Sequence, residues 1–147
     1  AEFFRDLRDH IRSVLNEVPA ARDWLVVDRD GKPIPYGTQT FRYFWDRNHP
    51  DAEAFLRKVV QFSVNEINAD LVHFDNYTIG PGWDANSVKR FRQYLRVTFT
   101  PGQLKEMNIP DLDATQPPDE TSPELLRRAW QEFCCRSMAD SYWEMCR

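Results

Sequence analysis

Several things this sequence lacks narrow the field before any motif is considered. Cysteine is scarce. Cys134, Cys135 and Cys146 are odd in number, two of them are adjacent, and none forms a C-x-x-C pair. That excludes a disulfide framework and a cysteine zinc site, and leaves free thiols on a helix. There is no basic excess: the formal net charge is -4, with 29% of residues charged, which argues against a nucleic-acid surface. No run approaches the ~18 unbroken apolar residues of a membrane-spanning helix, and nothing at the start reads as a signal peptide. Internal repeats and low-complexity tracts are also missing. What is present is 147 residues, enough for one domain with a core of its own and read as a single domain over 1–147. Aromatic residues are plentiful, at 14%.

The apolar spacing organises the chain. Phe3, Phe4, Leu7, Ile11, Val14, Leu15 and Val18 make one helical stripe over 2–18, closed by Pro19. DWLVVD, residues 23–28, is short, apolar and β-branched, and reads as a buried strand. The turn composition DRDGKPIP follows, then an aromatic connection over 36–50. Asp51 opens a helix in which Ala52, Phe55, Leu56, Val59, Val60, Ser63 and Ile67 share a face. ADLVHFD, ending at Asp75, reads as a second strand over 70–75. Helices are expected over 86–99, with Val88, Phe91, Leu95 and Phe99 on one side, and from Thr100-Pro-Gly-Gln103, a capping box with a first-turn proline. A loop over 109–121 precedes a second capping box, Thr121-Ser-Pro-Glu124. The helix it opens turns Leu126, Ala129, Trp130, Phe133 and Ser137 inward.

Strands separated by a helix pair in parallel through a right-handed crossover. The expected class is therefore α/β, with parallel strands 23–28 and 70–75 and extra C-terminal helices. Two strands are a poor core, and a whole (β/α)8 barrel needs about 250 residues. The expectation is a partial barrel of about two β/α units, and its exposed strand edges predict homo-oligomers. Alternation puts Asp28 and Asp75 on one face, at the carboxyl ends of neighbouring strands, where α/β folds keep their chemistry. Neighbouring strands would hold the two carboxylates roughly 5 to 10 Å apart, in the range of glycosidase acid pairs.

ADLVHFDNY resembles the strand reading DGIHFDNY in (β/α)8 glycoside hydrolases, with Leu71 where glycine is usual. VVDRDGKPIPYG and NHPDAEAFLRKVVQ are similar to the preceding unit. The helices after the strand are similar to those of glycosyl hydrolases related to the α-galactosidase and β-galactosidase barrels. The resemblance implies hydrolysis of a glycosidic bond, with Asp75 as nucleophile or sugar-binding carboxylate and the partner acid on a later strand. Within this chain Asp28 is the one interior candidate for a second acid. No cofactor is implied.

The remaining candidates surround those acids. His73 and Asn76 would support Asp75. His73-x-Asp75 lacks a third ligand, so no metal site is expected. Trp45 and Tyr43 in the first connection, and Tyr77 and Trp83 in the second, would offer flat rings to the apolar faces of sugars. The partner is thus a carbohydrate, with neither nucleic acid nor membrane expected. The alternative is a non-catalytic carbohydrate-binding or structural piece that completes its core by oligomerisation.

Overall fold

The computed structural model describes residues 18–38, 42–74, 80 and 82–147. The expected helix over 2–18 lies outside them, apart from Val18. Four α-helices form: α1 (Pro50–Asn65), α2 (Ala85–Thr98), α3 (Pro101–Glu106) and α4 (Glu124–Met145). Each start has a local cause. Pro50 occupies the first turn of α1, and the His49 Nδ1 accepts the Asp51 N–H at 3.2 Å. Asp84 caps α2 by accepting the Ser87 N–H at 2.7 Å, so one orphan donor of the first turn is satisfied. At α3 the capping box read from the sequence forms in full, with Thr100 accepting from Gln103 and the Gln103 side chain reaching back to the Thr100 N–H. The second expected box does not form. Thr121 and Ser122 bind Asp119 instead, and α4 starts after Pro123 without a side-chain cap.

The α/β barrel expectation is overturned. Among the described residues no β-strand or sheet forms; the chain is mostly helical. Residues 19–24 wind into a 3-10 helix (Pro19–Trp24), which takes Asp23 and Trp24 from the expected strand 23–28. The rest is extended but paired antiparallel with its own neighbours, through isolated bridges between Leu25 and Trp45, Val27 and Pro33, and Pro35 and Tyr43. Three backbone bonds close a ring. Val26 N–H donates to the Phe44 carbonyl (2.9 Å), Phe44 N–H to Ile34 (3.3 Å) and Ile34 N–H to Val26 (2.9 Å). Val26 therefore spends both of its backbone groups locally, on antiparallel neighbours. The described part of that second segment, 71–74, makes no bridge. It follows Asn68 at φ +57, and Leu71 is 83% exposed. The Val27 carbonyl takes the Trp83 N–H at 2.9 Å. Gly82 permits that crossing, because a Cβ there would meet the Val27 carbonyl oxygen at 2.6 Å.

Two apolar cores result. The larger lies among α2, α3 and α4: Phe91, Tyr94, Leu95, Met107, Leu126, Ala129 and Phe133, with Trp130 packed against it. The inward face expected for the last helix is the buried one. The smaller core is Ala21, Trp24 and Ala52, flanked by Val18, Trp45 and Phe55. Helix α4 packs against both α1 and α2 and so joins the two.

Candidate functional site

The face of α1 is only partly covered. Ala52 is buried and Phe55 and Leu56 are half-buried, but Val59 and Phe62 are exposed. Opposite this face stands the aromatic connection. Between them runs an open groove of about 460 Å³, walled by Tyr36, Tyr43, Phe44 and Trp45 on one side and Leu56, Val59, Val60 and Ser63 on the other. Val72, His73 and Phe74 close one end, Met145 of α4 contributes to the lining, and Arg42 and Arg47 supply its cations.

The rings of this wall are fixed from behind. Trp45 packs edge-on to Trp24 at 5.7 Å between centroids and against Phe55 at 5.6 Å. Tyr36 and Phe44 lie 5.2 Å apart. The Arg42 guanidinium sits over the Tyr36 ring, 4.7 Å from its centroid, a cation–π arrangement. Phe74 meets Tyr142 edge-on at 5.5 Å. Pre-set rings are what a ligand with an apolar face needs, since little side-chain freedom remains to be lost on binding.

The residues singled out from sequence separate into three groups. Tyr43, Trp45 and His73 meet in the groove. Asp28 and Trp83 line a different cavity of about 520 Å³, shared with Arg29, Gln116 and Asp119. Asp75, Asn76 and Tyr77 lie outside the described residues. Asp28 does not face the groove. Its carboxylate accepts the N–H groups of Asp30 and Lys32, both at 2.9 Å, and so caps the DRDG turn, in which Gly31 takes φ +76. Trp83 is covered by the Arg29 guanidinium at 5.5 Å, and Arg29 is paired with Asp119 at 2.7 Å. Hydrogen bonds from Thr121, with help from Ser122 and Arg29, hold the Asp119 carboxyl down at about 2.

One cluster escaped the sequence reading. Asp46, Asn48, Asp84, Ser87 and Ser137 are all buried and bonded into a hub that ties the aromatic connection to α2 and α4. Asn48 N–H and Ser87 Oγ–H donate to Asp46 Oδ1 at 2.8 and 3.3 Å. The Asn48 amide donates to Ser87 Oγ at 2.9 Å, while its oxygen accepts from Ser137 (2.8 Å) and from Arg90 (3.1 Å). Burial, and then the neighbouring Asp84 carboxylate, push the Asp46 carboxyl up to about 7, against the opposing pull of the Asn48 N–H and the Asn86 amide. Asp84 Oδ2 has no hydrogen-bond partner. A buried acid with a raised pKa is the raw material of acid–base chemistry, but Asp46 is absent from the lining of both cavities, so the hub acts as a tie between elements. Its residues lie in two short polar stretches far apart in the sequence, DRN at 46–48 and DANS at 84–87, and at Ser137.

A third opening, about 680 Å³, carries Lys89, Arg90, Arg92 and Arg96 of α2. Its arginines are largely committed: Arg90 to Asn48, Arg92 to the Thr115 carbonyl and Arg96 to Asp113, the last two at 2.7 Å. Among the described residues no three metal-ligating side chains converge, and no helix is long and apolar enough to cross a membrane. Burial raises the Cys134 thiol to about 12, with neighbouring Cys135 adding to the effect, so it is a poor nucleophile. Set beside known proteins, the chain matches no protein-family model, no curated protein and no solved structure.

Proposed function

We propose that this protein acts on carbohydrate, holding a saccharide in the aromatic groove and presenting its glycosidic bond to Asp75. The observation that carries the reading is the meeting of Tyr43, Trp45 and His73 in one open, apolar-walled groove. These are three of the residues that the sequence marked around a sugar site, and His73 comes from a stretch well downstream of the other two. Flat rings packed from behind suit the C–H faces of pyranose rings. The chemical step rests on the resemblance of ADLVHFDNY to glycoside hydrolases, in which the aspartate of this motif is a nucleophile or binds sugar hydroxyls. Asp75 follows groove-lining His73 by two residues. Hydrolysis needs a second carboxyl group.

No carboxylate stands among the described residues that line the groove. That observation favours a second reading, saccharide binding without turnover. Both are decided by two variants. Hydrolysis of aryl-glycosides that disappears in Asp75→Asn, with saccharide affinity retained, supports the enzyme. Affinity lost in Trp45→Ala, with no turnover in the parent chain, supports the binder. A chain that neither binds nor cleaves any saccharide in a broad panel overturns both.

A further inference from the structure

The groove has a charge character that its aromatic walls do not require. Among the described residues that line it, the charged side chains are Arg42 and Arg47, joined by the imidazole of His73, and none is Asp or Glu. The chain as a whole is acidic, at -4, so a cationic groove runs against its average. Arg42 is the informative member. Its guanidinium rests on the Tyr36 ring, and no described carboxylate is paired with it; by contrast Arg29, Arg57, Arg96, Arg128, Arg136 and Arg147 all stand in ion pairs. A planar guanidinium held over a ring, with its N–H edge uncommitted, is disposed for two-point recognition of a carboxylate or sulfate.

We infer that the ligand of this groove is an acidic saccharide, a uronate-containing oligosaccharide, whose pyranose face lies on the Trp45 and Tyr43 wall and whose carboxylate is taken by Arg42. This rests on the saccharide reading and names its substrate class. A neutral sugar satisfies the walls but gives Arg42 no anion. A small aliphatic acid satisfies the cation but leaves the apolar walls uncovered. A uronate offers both chemistries on one ring.

The test is calorimetric titration of the full chain with glucuronate- and galacturonate-containing oligosaccharides, each against its carboxyl-reduced neutral counterpart of the same length and linkage. The acidic forms are expected to bind about tenfold tighter, the effect of one charge-assisted hydrogen bond. That preference is expected to shrink as salt rises from about 0.05 to about 0.5 M, because the pair is partly exposed. In Arg42→Gln the acidic-to-neutral affinity ratio is expected to fall towards one; should that variant fail to fold, the salt series on the unaltered chain still decides. Equal affinity for acidic and neutral forms overturns this inference and leaves the saccharide groove standing. Failure of every saccharide, acidic and neutral, overturns the groove reading and this inference with it.

Discussion

The helical half, residues 85–145, and the aromatic half, residues 18–74, solve the same problem differently. In the first, three helices close on one another and Phe91, Leu95 and Met107 reach complete burial. In the second, a 3-10 helix and a bridged connection cover only the start of α1, so Phe62 is 57% exposed and Leu71 83%. A closed core spends its apolar surface on stability. The open half leaves apolar surface and pre-set rings on a groove wall, where a ligand can use them. Between the two sits the polar hub, whose bonds run from Asn48 on one side to Ser87 and Ser137 on the other.

Four changes break or sharpen that contrast. The largest effect belongs to Phe91→Ala. The ring is fully buried against Tyr94, Trp130 and Phe133, and its loss is expected to cost about 3–5 kcal/mol, read as a lowered denaturation midpoint for the whole chain. Trp24→Ala removes the anchor of the small core, where Trp24 meets Trp45, His49 and Phe55. A cost near the low end, about 3 kcal/mol, is expected, because the open half can relax around the gap. Hydrogen exchange would localise it: faster amides in 18–65, with α2 and α4 still protected. Equal loss of protection in both halves would mean that they are one cooperative unit.

The third change works through protons. The folded carboxyl of Asp46 sits at about 7, above its ordinary 3.8. Between those values the native state holds a proton that the unfolded chain has released, so stability falls as pH rises from about 4 to about 7 and is flat above. Asp46→Asn mimics the protonated form and can donate to Asp84 Oδ2, the oxygen without a partner. It is expected to erase that slope and to stabilise the chain at pH 8 by on the order of 1–3 kcal/mol. Denaturation midpoints measured from pH 4 to 8 check it, and a variant with the parent's slope would place the linkage elsewhere. The smallest effect is Phe62→Ser, expected to shift stability by under about 0.5 kcal/mol because the ring is already largely in water.

What the sequence disclosed follows the same division. Where a helix face is closed over, the 3.6-residue period is a sufficient signal, and Val88, Phe91, Leu95, Leu126, Ala129, Phe133 and Ser137 were legible. So was the Thr100 box, whose partners are three residues apart. The strands were misread because LVV at 25–27 carries branched residues that fit any extended pairing. The pattern does not say whether the partner is a distant parallel strand or the Pro33–Pro35 stretch just downstream. Thr121 was misread because Asp119 competes for its hydroxyl. Asp28 shows the limit of alternation as a guide to chemistry: the turn that follows it draws two N–H groups onto its Oδ1. The hub was invisible because it forms only where Asn48 meets Ser87 and Ser137, both far along the chain. The groove was half legible, since the concentration of rings over 36–45 pointed to it while the α1 face opposite read as ordinary core.

The spans of these bonds also order the folding reaction. The ring that joins Val26, Ile34 and Phe44 closes over short stretches of chain, whereas the bond from Ser137 to Asn48 joins residues 89 positions apart. Short loops close first and distant ones last, so the ring is expected early and the hub late. A late step that desolvates an acid should run faster in mildly acidic solution, which gives refolding kinetics a handle on the union of the two halves.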